Sequence, residues 1–146
     1  MPLLNYTTSV ASDRTIMQVQ QKLARAGARQ VMTEYGPGGA AVGIAFAIET
    51  PHGERRYHLP ADVAAVAQVM RADSDVPNRL RSPEQAERVA WRIIKDWLEA
   101  QLAIVETQMV SFDQVMLPYM AAGPNGTTVY DLYLQEQLAL PAGSDG

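Results

Sequence analysis

The chain has 146 residues, 47% of them hydrophobic, so it has the length of one domain and enough apolar side chains for a core. No apolar run approaches the roughly 18 residues of a membrane span, and the N-terminus lacks the basic start and apolar core of a secretory signal. We therefore expect a cytoplasmic protein with no membrane partner. The absence of cysteine excludes disulfides, thiol nucleophiles and cysteine-based metal sites.

Charge is distributed unevenly along the chain. The formal net charge is −4, yet every lysine and arginine lies at or before Lys95. All charged residues after Lys95 are acidic. This asymmetry permits an anionic partner for the first part of the chain despite the acidic total. It equally permits the two parts to neutralise each other, within the fold or between subunits.

The first predicted elements are a strand and a helix. Residues 4–10 alternate weakly and contain β-favouring threonines, which predicts a short first strand. Ser12 or Asp13 can then cap a helix. Its apolar side chains recur at helical spacing until Gly27, a typical left-handed C-terminal residue, ends it.

Three further strands are predicted at residues 28–35, 40–50 and 55–59, separated by turns rich in glycine and proline. Strands joined this closely form an antiparallel meander. The strand at 40–50 has large apolar side chains on one face and only alanine and glycine on the other. A strand without a polar face is usually covered on both sides, and the small face would let a helix or another subunit approach closely. Together with the divided charge, this pattern predicts a homo-oligomer.

The second half of the chain is predicted to be helical. Pro60 suits the first turn of a helix that continues to about Met70. Ser82, Pro83 and Gln85 then form a capping box with proline at the first helical position, which is a strong start signal for a long helix. The apolar arc of that helix is too wide for a simple surface helix, so it should be central. Shorter helices are predicted at residues 111–116 and after Thr128.

These elements predict one α+β domain over residues 1–140 and a flexible tail over residues 141–146. The predicted order is β-α-β-β-β-α-α-α. In this arrangement a four-stranded, mostly antiparallel sheet is packed by one long central helix.

Familiar catalytic and cofactor patterns do not occur in the sequence. His52 and His58 are the only histidines, and the turn beside them adds only Glu49 and Glu54, whereas a typical catalytic zinc site needs three protein ligands at short spacing. The glycine-rich segment at residues 36–39 precedes a strand rather than a helix and is not followed by the lysine of a phosphate loop. No nucleophile motif is present. We therefore predict a protein that is not an enzyme, with no catalytic residues, metal or cofactor.

The long helix carries a row of cations that permits two interpretations. Arg88, Arg92 and Lys95 share one side of the helix, because successive residues rotate by about 100°. In the functional interpretation these three bind phosphate, Arg81 closes the site, and Trp91 stacks on a base. In the other interpretation, acidic residues of the same stripe turn the row into a solvated lattice of salt bridges, and Trp91 lies at the edge of the core.

Five segments carry a family resemblance: Asn5–Thr8, Gly27–Arg29, Leu59–Ala61, Gln85–Trp97 and Leu117–Tyr119. They resemble an uncharacterised family of small proteins from phages and integrated mobile elements, and the similarity spans Asn5 to about Leu132. The resemblance implies a phage protein in the cytoplasm of a bacterial host cell, acting by binding. It assigns no role to any residue.

The main functional hypothesis is a non-catalytic protein that binds a phosphate-bearing small ligand through this cationic row. A nucleotide signal of bacterial immunity is an example, and its sequestration would serve counter-defence. One alternative is a single-stranded nucleic acid binding protein that uses the same row along a groove. Another is a host-protein inhibitor or structural subunit without a small ligand. Non-specific binding of duplex DNA is disfavoured by the net negative charge.

Overall fold

The computed structural model describes residues 2–135, which form a three-stranded antiparallel sheet and five α-helices. The strands are β1 (Ala28–Tyr35), β2 (Ala41–Thr50) and β3 (Gly53–Pro60). The helices are α1 (Ser12–Arg25), α2 (Val63–Ala72), α3 (Pro83–Glu106), α4 (Phe112–Met116) and α5 (Val129–Leu134). No helix between residues 2 and 135 is both long enough and apolar enough to cross a bilayer. The predicted tail over residues 141–146 lies outside the described residues.

The α+β class is as predicted, but the predicted first strand is wrong. Residues 4–7 form turns, and Asn5 has a φ of 64°, a left-handed conformation that cannot continue an extended strand. The segment binds α3 instead of a strand, because the Gln85 side chain donates hydrogen bonds to the carbonyls of Tyr6 (3.0 Å) and Thr8 (2.9 Å). The sheet therefore has three strands rather than four, and the order of elements is α-β-β-β-α-α-α-α.

The antiparallel meander of the other three strands is observed, with β2 between β1 and β3. The large side chains of β2 face the helices, where Ile44 and Phe46 are almost completely buried. Phe46 stacks on Tyr57 of β3 with ring centroids 5.3 Å apart, and Phe112 of α4 meets both rings edge-on. This face of the sheet holds the main core.

The small residues of β2 lie on the other face of the sheet. On this face, side chains of the neighbouring strands β1 and β3 are exposed to solvent. Polar side chains of β1 and β3 meet across this face. Arg56 donates a hydrogen bond to Gln30 (2.6 Å), and His58 Nδ1 lies 2.7 Å from Glu34 Oε1. A Cβ on Gly43 would come within 3.2 Å of the same Glu34 oxygen. The small residues therefore leave room for these contacts between β1 and β3.

The long helix α3 is central, as predicted, because it contacts α1, α2 and α4. On one side Trp91 and Leu98 join the main core. On the other, Val89 packs with Met70 and Val76 in a second cluster that the N-terminal segment also contacts. Each apolar side of α3 thus has its own core, and the polar stripe lies between them.

Local start signals agree with the structure at three helices and fail at two. Ser82 caps α3, and capping boxes built on Ser111 and Thr128 begin α4 and α5. Pro60 ends β3 instead of starting a helix, and α2 is capped by Asp62, whose carboxylate accepts a backbone N–H. No side chain caps α1, which begins at Ser12 itself.

Candidate functional site

Trp91 lies in the core and not at the edge of a ligand site. Its side chain is 0% exposed, and its indole Nε1 donates a hydrogen bond to the Ala41 carbonyl at 3.1 Å. The rotation of the helix carries Trp91 to the side of α3 that faces the sheet and α1. Since no part of the ring reaches the surface, the predicted stacking on a base is not open to it in this structure.

Arg81 is turned toward the loop that precedes α3. One guanidinium nitrogen donates to the Asp73 carbonyl at 2.7 Å, and another donates to the Asn78 side chain at 3.2 Å. The buried Nε has no partner among the described residues. These bonds tie the loop together, and none of the partners is shared with Arg88, Arg92 or Lys95. The structure thus shows Arg81 as a loop anchor rather than as the closing residue of the row.

Lys95 has its charge neutralised by carboxylates. Its Nζ lies 2.8 Å from Glu99 Oε1 and 3.7 Å from Asp96 Oδ1. The same Glu99 oxygen lies 2.8 Å from Lys22 Nζ on α1. Hydrogen bonds from Lys22 and then Lys95 lower the pKa of Glu99 below its ordinary value. The salt-bridge interpretation of the row therefore describes this part of α3.

Arg88 and Arg92 have neutral partners only. Arg88 donates to Gln85 Oε1 at 3.0 Å, and Arg92 donates to Gln18 Oε1 on α1 at 2.9 Å. Among residues 2–135, no carboxylate lies within 4.0 Å of either guanidinium. Both arginines are partly buried. Two like charges about one helical turn apart thus remain uncompensated, which creates a local positive potential.

Both glutamines hold their arginine from a fixed position. Gln85 is 4% exposed; its amide nitrogen binds the N-terminal segment while its oxygen accepts from Arg88. Gln18 presents its oxygen from α1, which packs along α3. A guanidinium has five N–H donors. Each arginine uses one in these bonds, so the others are available to an anion.

Two cavities lie elsewhere on the molecule. A groove of about 930 Å³ runs between α1, the second half of α3 and the turn between β2 and β3, and its charged lining is Lys22, Arg25, Glu49, Glu99 and Glu106. Carboxylates outnumber cations there, which does not suit a phosphate. A smaller cavity of about 600 Å³ is lined by residues that include His58, Tyr119, Tyr130 and Asp131. Neither of these two cavities is lined by Arg88 or Arg92, whose hydrogen-bond partners place them beside Gln85 and α1.

Metal binding has no support in the described part of the chain. Between residues 2 and 135, no group of three or more His, Cys, Asp or Glu side chains is placed to hold an ion. The two histidines have different acidic neighbours: His58 Nδ1 lies 2.7 Å from Glu34 Oε1, and His52 Nε2 lies 4.0 Å from Asp113 Oδ2.

The two glutamines are the part of the site that sequence reasoning missed. Gln85 was assigned only to the capping box, although its side chain points at the N-terminal segment and Arg88. Its position beside the apolar residues of α3 is the signal that could have found it, because a buried amide must be hydrogen-bonded. Gln18 carries no comparable signal, since only helix packing places it at Arg92.

The chain matches no protein-family model, no curated protein and no solved structure.

Proposed function

We propose that the protein is a non-catalytic binder of a phosphate-bearing small ligand, such as a nucleotide signal, and that Arg88 and Arg92 hold the phosphate. The observation that carries this proposal is that no carboxylate of residues 2–135 lies within 4.0 Å of two partly buried guanidinium groups about one helical turn apart. Like charges held partly out of water disfavour each other, and an anion relieves that cost.

The neutral partners support the proposal by setting geometry without removing charge. Gln85 and Gln18 each accept one N–H and so restrict the orientation of a guanidinium. The remaining donors suit forked hydrogen bonds to phosphate oxygens. The structure offers no stacking partner through Trp91, so the proposal concerns the phosphate of the ligand and leaves its base unassigned.

In the phage context that the sequence resemblance implies, binding would sequester a host signal in counter-defence. A homo-oligomer remains part of the proposal. Single-stranded nucleic acid binding is the weaker alternative, because it draws on a longer track of cations and on stacked aromatic side chains. Lys95 is neutralised and Trp91 is buried, which removes one of each from the row. A host-protein inhibitor or structural subunit is the remaining alternative.

Calorimetry and thermal shift with phosphate, pyrophosphate and mono-, di- and cyclic nucleotides test the proposal. A specific ligand stabilises the folded protein by mass action. We expect Arg92→Gln to weaken binding roughly 10-fold, which corresponds to about 1.4 kcal/mol. Arg71→Gln is the matched control, since Arg71 is exposed on α2 and the substitution changes the net charge equally.

Three other outcomes would reject the phosphate site. Equal weakening by Arg71→Gln and Arg92→Gln would mean general charge attraction. Affinity that rises with oligonucleotide length and falls steeply with salt would favour the nucleic acid alternative. No stabilisation by any of these ligands would leave the inhibitor or structural subunit.

A further inference from the structure

The two edges of the sheet are treated differently. The outer edge of β3 is paired near its middle, because the Ala121 N–H donates to the Arg56 carbonyl at 2.7 Å and Met120 forms a bridge with Tyr57. The outer edge of β1 pairs with no strand among residues 2–135. Because β1 is 8 residues long, it presents a row of unpaired backbone donors and acceptors.

The middle of strand β1, residues 30–34 between its two register shifts, lacks the usual protection of an exposed edge. Edge strands commonly carry proline, lysine or a bulge that prevents further pairing. There is neither proline nor lysine in β1, and its register shifts fall near its two ends. On the open face, Gln30 and Glu34 reach inward to Arg56 and His58. Met32 is left between them in the middle of the strand, 61% exposed.

Helix α1 adds apolar surface next to the free edge of β1. Gln20 of α1 donates to Thr33 of β1 at 3.1 Å, which places this side of the helix over the strand. Met17 lies about one turn before Gln20 on that side and is 51% exposed. Tyr35, at the end of β1, is 67% exposed. The free edge is thus flanked by apolar side chains from both elements.

We infer that two copies of this chain pair through β1, antiparallel about a two-fold axis at Met32, so that the two sheets form one continuous sheet. A two-fold axis perpendicular to a sheet keeps each face on its own side, so only residues of the same face oppose each other. This axis sets Met32 against its own copy and Gln30 against Glu34. On the helix-covered face, Val31 meets Thr33.

Charge favours the antiparallel arrangement, and the exposed Met32 favours this register. One basic residue, Arg29, and one acidic residue, Glu34, lie toward opposite ends of β1. Antiparallel pairing brings the basic end of one copy to the acidic end of the other, whereas parallel pairing would align like charges. An axis centred on Val31 would set Met32 against Gln30 and lose the apolar pair. The pairing is independent of the proposed phosphate site.

Disulfide trapping tests the register directly, because the chain has no cysteine of its own. Directly opposite residues of an antiparallel pair have Cα atoms roughly 4.5–5.5 Å apart, within the reach of a disulfide. We expect Met32→Cys to form a covalent dimer on mild oxidation. Val69→Cys is the control, since Val69 is 49% exposed on α2 and should stay uncrosslinked.

Light scattering on the eluting protein tests the interface without crosslinking. The wild type should have twice the 16.0 kDa mass of one chain. Met32→Lys should shift it to the monomer, whereas Ala45→Lys, on the open face of the neighbouring strand, should leave the dimer intact. A monomeric wild type, or a dimer that Ala45→Lys dissociates and Met32→Lys does not, overturns the inference. Equal crosslinking of both cysteine variants does the same, and that result stands even if Met32→Lys weakens folding.

Discussion

The polar stripe of α3 changes character along its length. In its first half, Arg92 donates to the neutral side chain of Gln18 on α1. In its second half, Lys95 and Lys22 share the carboxylate of Glu99. Both halves carry cations and both face α1, so they look alike in the sequence. Positive charge is available to a ligand in the first half and is cancelled in the second. The difference arises within α3, whose Glu99 pairs with Lys95, and across the helix pair, where the neutral Gln18 binds Arg92.

The largest expected effect tests the border between the stripe and the core. Trp91→Ala removes a completely buried ring and its hydrogen bond to Ala41, so we expect the free energy of unfolding to fall by roughly 3–5 kcal/mol. Urea unfolding measures it. If the free energy of unfolding fell by less than about 1 kcal/mol and ligand binding were lost, Trp91 would belong to the ligand site instead of the core.

Alkaline pH should destabilise the fold through Tyr57, the buried tyrosine of β3. Burial, with the nearby Asp113 charge, raises the pKa of Tyr57 to about 12, while Arg55 opposes the rise. A raised folded pKa means that the protein keeps its stability below pH 10 and loses it as the pH rises toward 12.

We therefore expect Tyr57 to account for a loss of up to about 3 kcal/mol between these pH values, at about 1.4 kcal/mol per pKa unit. Urea melts of the wild type and Tyr57→Phe across this range check it. Tyr57→Phe should remove this part of the pH dependence. Identical curves for both proteins would contradict the assignment to Tyr57.

Gln85→Ala should disturb the first half of the stripe alone. It removes the hydrogen bonds to the Tyr6 and Thr8 carbonyls and the partner of Arg88, at a cost of roughly 1–3 kcal/mol in the free energy of unfolding. Limited proteolysis should show faster cleavage of the N-terminal segment. Gln68→Ala, at an exposed position of α2, is the control and should change neither measurement.

The smallest effect on stability should come from Glu99→Gln, which makes the second half resemble the first. Its low pKa stabilises the folded protein above the ordinary value of 4.5, and this contribution is lost as the pH falls through the lowered folded value. Because the pair is substantially exposed, the cost at neutral pH should stay below about 1 kcal/mol. The freed lysines should strengthen phosphate binding at low salt, as measured by calorimetry. Unchanged or weaker binding would mean that charge in the second half does not affect the electrostatic potential at a ligand bound in the first half.

Local signals predicted most of the helices and strands. The start of α3 was predicted because the Ser82 cap and Pro83 act within one turn, although the Gln85 side chain binds the N-terminal segment instead of completing the predicted capping box. The meander was predicted because its turns are short. The strand at residues 4–10 was wrong because β-favouring threonines do not reveal that Asn5 adopts a left-handed conformation or that Gln85 takes up the nearby carbonyls. Burial of Trp91 was missed because the apolar arc of α3 is continuous in sequence, and only packing shows where its edge lies.

What the sequence alone determined is that α3 begins at its Ser82 cap and carries its cations on one side, since capping and helical rotation depend only on nearby residues. The tertiary structure decided which partners these cations meet from outside α3. Gln18 and Lys22 lie on another helix, more than sixty residues before Arg88. The packing of α1 against α3 brings an amide to Arg92 and adds Lys22 to the Lys95–Glu99 pair, which forms within α3 itself, and electrostatic interactions depend on these distances.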